Sequence, residues 1–311
     1  MTAVARAMRT FFTNVWRFRV LLLMCLPAIA FFIVFSYAPL PGLYVAFTKF
    51  NYNDGIFGSK FIGLENFKFL FTSGQLTLLL RNTVFYNLAF ILFGNVVQML
   101  VAILLNEVMS ARFRKVTQTL MFLPYFISAV LVSLIVYNLL NFDFGFITNL
   151  MRQIGLTPPK VYSTPGAWPF LLIIVYLWQT TGYGSVVYFA AIMGIDKEIM
   201  EAARVDGANG FQRIRFITLP SLKPTFVILL LFALGGIVRG NFGLFYNLVG
   251  SNSMLYNTTD IIETYVYRTT MNSFNFSQAS AVGLFQSVIG FFIVILFNGI
   301  VKKLEPENAL F

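Results

Sequence analysis

The chain has 311 residues, of which 58% are hydrophobic and only 11% are charged, and its mean hydropathy is +0.77. Soluble globular proteins carry about 25% charged residues, so this composition excludes an ordinary soluble domain and predicts a polytopic α-helical membrane protein. The net charge of +10 is compatible with nucleic acid binding, but the basic residues flank apolar runs, which favours a role in membrane orientation. The single cysteine, Cys25, excludes an internal disulfide, and the lack of histidine removes the commonest metal ligand and general base. We therefore expect neither a nucleic acid partner nor a metal site.

Six apolar runs are long enough to span a bilayer, because a membrane helix needs about 20 residues. The sequence therefore predicts an all-α fold, with residues 1–19 as an N-terminal segment and residues 20–311 as one transmembrane domain. The fifth run contains several glycines and Arg239, so its outer half is expected to be broken or re-entrant. Prolines 27, 39 and 41 are expected to kink or end the first helix. The six predicted spans are residues 20–44, 83–105, 118–140, 168–193, 225–249 and 281–301.

Lysine and arginine residues are unevenly distributed between the two sides of these spans. They are more numerous in the N-terminal segment, the C-terminal segment and the connections that follow the second and fourth spans. Fewer lie in the connections that follow the first, third and fifth spans. This bias predicts that both termini are cytoplasmic. It also places the connection between the fourth and fifth spans, residues 196–224, in the cytoplasm.

That connection, here called the polar bracket (residues 196–224), is a charged segment between two apolar runs. Asp196 can cap a helix that continues through Ala203, and Gly207 permits a turn. A second helix is expected from about Asn209 to Thr218, with Pro220 and Pro224 ending it. Such a helix–turn–helix unit could dock on a soluble partner, or it could lie on lipid headgroups with its arginines on anionic lipid.

The polar bracket contains Glu201-Ala202-Ala203, then Gly207, then Ile217-x-Leu219-Pro220. This spacing resembles the EAA---G---------I-LP motif of permease subunits in binding-protein-dependent ABC importers. Other segments are similar to the carbohydrate branch of that family, specifically its oligosaccharide and polysaccharide-utilisation members. They are residues 37–49, 61–67, 81–83, 122–125 and 260–268.

The resemblance implies a type I ABC importer permease fold in the bacterial cytoplasmic membrane. It implies three kinds of protein partner, which are a second homologous permease, two ATPase subunits and an extracytoplasmic solute-binding protein. It also implies contact with membrane lipid. ATP and Mg²⁺ would be held by the ATPases, since this chain lacks a phosphate-binding G-x-x-x-x-G-K-[ST] loop and is not expected to be an enzyme. The residues expected to contact the ATPase are Glu201, Ala202, Ala203, Arg204, Asp206, Gly207, Arg213, Arg215, Leu219 and Pro220.

A carbohydrate site needs hydroxyl or amide partners and aromatic faces. Polar and aromatic residues within the spans are therefore candidates for a substrate cavity, although hydrogen bonding between helices is the favoured explanation for any single one of them. Arg239 could bind an acidic sugar, pair with Glu263 or extend to the outer interface. The candidates are Tyr137, Asn138, Asn141, Trp178, Gln179, Tyr183, Tyr188, Arg239, Asn241, Tyr246 and Asn247.

The outer connections, residues 48–81 and 250–280, are expected to dock the binding protein or to cap the helix ends. Asp260 and Glu263 lie one turn apart and could form an acid–base pair in a membrane glycosyltransferase, but a structural role in which Asp260 caps a helix is favoured. A secondary transporter would need ionisable residues within the spans, and few are present. An importer of a peptide or polyamine stays open as the main alternative.

Overall fold

A computed structural model describes residue 13 and residues 16–304 of the chain. Within this part, five helices are long and apolar enough to cross a membrane, and a sixth span is possible if one bent pair of helices counts as a single span. The predicted all-α polytopic fold is therefore confirmed. The predicted N-terminal segment, residues 1–19, lies largely outside the described residues. The five helices are Arg19–Phe47, Gln75–Glu107, Pro165–Met193, Gly210–Gly235 and Phe276–Lys303, and the bent pair is Ala111–Phe126 with Ala129–Leu140.

The α-helices are numbered here in chain order, and a two-stranded antiparallel ribbon pairs β1 (Thr48–Lys49) with β2 (Lys60–Phe61). The long helices Arg19–Phe47 and Gly210–Gly235 combine α-helical segments with π-helical or 3₁₀ turns. The α-helices are α1 (Arg19–Phe32), α2 (Gly55–Gly58), α3 (Glu65–Thr72), α4 (Gln75–Glu107), α5 (Ala111–Phe122), α6 (Ala129–Leu140), α7 (Phe146–Gln153), α8 (Trp168–Met193), α9 (Lys197–Val205), α10 (Gly210–Arg213), α11 (Leu219–Gly235), α12 (Phe242–Val249), α13 (Tyr256–Thr259), α14 (Ile262–Met271) and α15 (Phe276–Leu304).

The core is built on the long contact between α4 and α8. Phe90 of α4 stacks on Tyr176 of α8, with ring centroids 3.9 Å apart. The buried Tyr188 hydroxyl donates to Asn95 Oδ1 at 2.8 Å, which adds a polar tie within the same interface. Phe245 of α12 packs edge-on against Tyr86 of α4 and extends this core to the far end of the fifth span.

The third span differs from the predicted straight helix over residues 118–140. The chain bends by 99° between Phe126 and Ala129. Pro124 lies in a 3₁₀ turn just before the bend, and the Ser128 hydroxyl caps α6 by accepting from the backbone N–H of Leu131. Gln179 of α8 donates to the carbonyl of Ile127 at 3.0 Å. The bend is stable because a neighbouring helix satisfies the backbone group that it frees.

The fifth span differs from the prediction at its N-terminal end. Its helix begins at Gly210 in the polar bracket and runs through Pro220 and Pro224 to Gly235, so the predicted stop at the prolines is wrong. A π-helical turn, Ile214–Thr218, precedes Pro220. Local π-helical adjustment is one way in which membrane helices accommodate proline. The predicted break in the outer half is confirmed, since residues 236–241 separate α11 from α12.

Gly182 on α8 permits a close approach to the end of α5. A Cβ atom at Gly182 would lie 1.8 Å from the carbonyl oxygen of Met121, so backbone would have to move. We predict that Gly182→Ala lowers stability by at least about 2 kcal/mol, the usual cost of an overpacked core. Thermal unfolding of the purified protein in detergent measures this effect.

Gly283→Ala is the matched control, because a Cβ atom there meets nothing within 4 Å and alanine favours helix. Equal melting temperatures for the Gly182→Ala variant and the wild type would contradict the prediction.

Candidate functional site

The polar bracket folds as two helices joined by a tight turn. The Asp196 carboxylate caps α9 by accepting from the Glu198 N–H at 2.9 Å. Gly207 has φ +79°, a left-handed conformation that glycine adopts without strain. Asn209 and Gln212 form a reciprocal capping box at the start of α10, with distances of 2.9 and 2.8 Å. The predicted capping residue, turn and second helix start are therefore confirmed.

The tip of the polar bracket exposes apolar side chains among charged ones. Val205 is 88% exposed, Phe211 71% and Phe216 69%. Exposed apolar side chains grouped with charges are typical of a surface that binds another protein. Most of the residues predicted to contact the ATPase surround this tip and are exposed: Glu201, Ala202, Arg204, Asp206, Gly207, Arg215, Leu219 and Pro220, with Ala203 half-buried.

Arg213 differs from the other predicted contact residues because its guanidinium is held inside the chain. Its Nη1 donates to the carbonyl of Ala208 at 3.0 Å, and its Nη2 lies 3.8 Å from a carboxylate oxygen of Glu107. Glu107 is the last residue of α4. Arg213 therefore joins the polar bracket to the end of the second span, at the edge of a cleft of about 620 Å³.

Among the predicted substrate residues near the third span, two are occupied by structural hydrogen bonds. Asn141 is buried and its amide oxygen accepts from the N–H groups of Asp143 and Phe144. Asn138 donates to the carbonyl of Leu134 one turn earlier. Tyr137 is partly exposed and packs edge-on against Tyr162.

The fourth-span candidates divide in the same way. Tyr188 is buried and Gln179 stabilises the bend of the third span, as described above. Trp178 and Tyr183 are exposed, and Tyr183 stacks on Tyr125 with a centroid distance of 4.3 Å and an interplanar angle of 8°. This exposed stack offers flat aromatic faces, and Tyr125 was missed as a candidate although it lies in the conspicuous Leu123-Pro124-Tyr125 segment.

Around α12, Asn241 accepts from the Leu244 N–H as a helix cap, and Asn247 donates to the carbonyl of Gly243. Tyr246 is more exposed and stacks on Phe242, with a centroid distance of 5.0 Å. Tyr267, which was not predicted, packs against Tyr246 at 4.7 Å. The two tyrosines and Phe242 form a second aromatic group.

Arg239 is exposed between α11 and α12. The predicted alternative of an ion pair with Glu263 is wrong, because Glu263 Oε1 instead accepts from the Gly240 N–H and from Gln286 Nε2, both at 2.7 Å. Gln286 was missed, although a glutamine within the last apolar run was a visible signal.

Asp260 and Glu263 do not form the acid–base pair considered from the sequence. Asp260 is 3% exposed and pairs with Arg268 through two hydrogen bonds, of 2.6 and 3.2 Å, while Glu263 contacts different groups. Asp260 also differs from the expected capping role, because the N-cap of α14 is Ile261 and the Asp260 carboxylate binds Arg268 and Thr264. Burial lowers the pKa of Arg268, but the hydrogen bonds and charge of Asp260 more than offset it, so the pKa is raised.

The segment around Asp260 is tied to the second span by the Arg81-Asn82-Thr83 sequence. Asn82 donates to the carbonyls of Asn257 and Asp260, and the Thr83 hydroxyl accepts from the Ile262 N–H at 3.1 Å. These contacts give both sequence segments a structural role on the side of the molecule opposite the polar bracket.

Comparison with known proteins agrees with this architecture. Residues 94–308 match the family described as binding-protein-dependent transport system inner membrane component. The chain is 35% identical to the polygalacturonan/rhamnogalacturonan transport system permease protein YteP of Bacillus subtilis strain 168, over 93% of this chain and 89% of YteP. It is 31% identical to protein LplB of the same organism, over 93% of this chain and 90% of LplB.

A crystal structure of a bacterial ABC transporter that imports the acidic polysaccharide alginate contains a similar chain. The TM-score is 0.86 at 33% identity, and the match covers 95% of this chain and 99% of that one. The predicted ABC importer permease fold is confirmed. The protein is a multi-pass membrane component of a transport system, and the chain belongs to the family of binding-protein-dependent transport system inner membrane components.

The Asp260–Arg268 pair generates a test of the structural role of the segment around Asp260. We predict that Asp260→Asn destabilises the protein by about 3 kcal/mol, because removing one partner of a buried pair leaves the other charge uncompensated. The value lies at the low end of the usual range, since the Arg268 side chain is 25% exposed. Thermal unfolding in detergent measures the loss.

Asp143→Asn provides the control, because Asp143 is exposed and belongs to no ion pair among the described residues. A melting temperature unchanged by Asp260→Asn would contradict the structural role of the pair.

Proposed function

We propose that this chain is the transmembrane permease subunit of an ABC importer for oligosaccharides. The observation that carries the proposal is the exposed helix–turn–helix of the polar bracket, which presents Glu201-Ala202-Ala203 and Gly207 between two membrane helices. The names of relatives support the cargo class, since YteP is a polygalacturonan/rhamnogalacturonan permease. A related alginate transporter crystallised with a periplasmic protein bound to a pentasaccharide.

Energy for transport comes, in this proposal, from two ATPase subunits that bind ATP and Mg²⁺ and dock on the polar bracket. Val205 and Phe211 supply the apolar centre of the interface, and Glu201, Arg204 and Asp206 its polar contacts. Interfaces of this kind combine a buried apolar centre with a charged rim.

The remaining partners are a second, homologous permease, membrane lipid and an extracytoplasmic binding protein. The first helix, Arg19–Phe47, exposes apolar side chains along most of its length and suits lipid or the second permease. The outer connections are the proposed docking surface for the binding protein. ATP-driven closure of the ATPases would then turn the cavity between the permeases alternately inward and outward in the bacterial cytoplasmic membrane.

The proposed orientation places the polar bracket in the cytoplasm, and cysteine labelling tests it. In a Cys25→Ser background, we expect Asn53→Cys to react with a membrane-impermeant maleimide in intact spheroplasts. Asp206→Cys should react only after permeabilisation, because the two exposed positions lie on opposite sides of the membrane. Labelling of Asp206→Cys in intact spheroplasts would reverse the orientation and remove the basis for ATPase docking.

Docking through Glu201 is tested by charge reversal. Glu201→Lys should leave the permease folded but lower sugar-stimulated ATP hydrolysis by more than about tenfold, because loss of a charged contact in an interface costs several kcal/mol. ATPase retained on the purified permease and ATP hydrolysis in proteoliposomes are the two readouts.

Asp143→Lys makes the same change of charge at an exposed residue outside the polar bracket. It should retain the ATPase as the wild type does. Wild-type ATPase retention and hydrolysis by the Glu201→Lys variant would rule out the docking assignment.

A further inference from the structure

A cavity of about 500 Å³ lies between the broken end of the fifth span and the last helix, α15. Its volume falls within the range of small-ligand pockets, about 300–1,000 Å³. Arg239, Gln286 and Ser287 supply its polar side chains, and Phe291 supplies an aromatic face. Glycines 235, 236 and 290 line the rest together with valines, so much of the wall is backbone.

The backbone on either side of Arg239 is fixed. The Gly240 N–H donates to Glu263 Oε1 at 2.7 Å, and Gln286 Nε2 donates to both the Val238 carbonyl and Glu263 Oε1. A Cβ atom at Gly240 would lie 2.5 Å from Glu263 Oε2, so this clamp requires glycine at that position. Arg239 lies between Val238 and Gly240, and its backbone is therefore held at the cavity wall.

In contrast to its backbone, the Arg239 side chain is unoccupied. Among residues 16–304 its guanidinium has no ion pair and no hydrogen bond, whereas Arg268 pairs with Asp260 and Arg213 approaches Glu107. Glu263 is not its hydrogen-bond partner, since Oε1 binds the Gly240 N–H and Oε2 is buried without a hydrogen-bond partner. An unpaired cation next to membrane helices is costly, and such groups mark ligand pathways.

The side chains that line the cavity are suited to binding an acidic sugar. A guanidinium presents a planar fork that matches a carboxylate with two parallel hydrogen bonds. The Ser287 hydroxyl and the Gln286 amide oxygen can bind sugar hydroxyls. Phe291, which is 63% exposed, can cover the apolar face of a pyranose ring.

We infer that the cavity between residues 235–239 and α15 is a subsite for a uronate unit, with Arg239 binding the sugar carboxylate. The inference rests on the proposed oligosaccharide import. The phosphate of an anionic lipid shares the carboxylate's charge, and the second permease could supply an acidic side chain, so the test separates these sources.

The test uses the complete importer, with its binding protein, in proteoliposomes. The cargoes are trigalacturonate and its methyl ester, which has the same rings without charge. Uptake kinetics are measured for the wild type and for Arg239→Gln, Arg239→Lys and Arg112→Gln. Arg112 is an exposed arginine at the start of α5 that does not line the cavity, and it serves as the control. Each measurement is made with phosphatidylcholine alone and with added phosphatidylglycerol.

We expect Arg239→Gln to raise the KM for trigalacturonate roughly 10- to 100-fold, the effect of losing one charge-assisted hydrogen-bonded contact. The KM for the methyl ester should not change, and Arg239→Lys should lie between the wild type and Arg239→Gln. Arg112→Gln should match the wild type for both cargoes, in both lipid mixtures.

An equal increase in KM for both cargoes would overturn the inference, because it would indicate a structural contact such as pairing with the second permease. An effect of Arg239→Gln that depends on phosphatidylglycerol would assign the site to lipid instead. If the Arg239→Gln variant takes up both cargoes with the KM values of the wild type, the uronate subsite is refuted, whereas the proposed sugar import is still supported. A wild type that takes up neither these cargoes nor a neutral oligosaccharide would refute the proposed function as well.

Discussion

Backbone groups freed at breaks in membrane helices need hydrogen-bond partners, because hydrocarbon offers none. In this protein, side chains from other helices supply them. Gln179 donates to the carbonyl at the bend of the third span, and Glu263 accepts from Gly240 in the break of the fifth. Asn87 donates to the carbonyl of Ile237 at 2.9 Å, in the same break. The irregular parts of the fold thus depend on polar residues placed on neighbouring helices.

This constraint explains why polarity within a span is a poor guide to substrate contact. Asn141, Gln179 and Tyr188 all looked like candidates, yet each is committed to a hydrogen bond within the chain. A polar group in an apolar sequence can serve the backbone or the ligand, and the sequence does not separate the two. Only the hydrogen-bond partner seen in the structure separates them.

The polar bracket could be predicted from the sequence because its structure is local. The Asp196 carboxylate accepts from the Glu198 N–H two residues away, Gly207 turns the chain at its own position, and Asn209 bonds Gln212. The bend at Ile127 could not be predicted in the same way, since its partner Gln179 is 52 residues away in the sequence. The continuation of the helix through Pro220 was missed because local π-helical geometry overrides the usual effect of proline.

The same continuous helix connects the two regions that the proposed transport mechanism uses, the polar bracket and the cavity beside Arg239. From Gly210 to Gly235 it has 26 residues and a length of about 39 Å. One end carries the tip of the polar bracket, and the other ends at the glycine-rich break beside Arg239. A rigid helix transmits displacement along its axis, whereas glycines permit the chain beyond it to change direction. Movement of the polar bracket would therefore act directly on the wall of the cavity. The contact of Arg213 with Glu107 would carry part of the same movement into α4, whose far end binds the segment around Asp260 through Asn82 and Thr83.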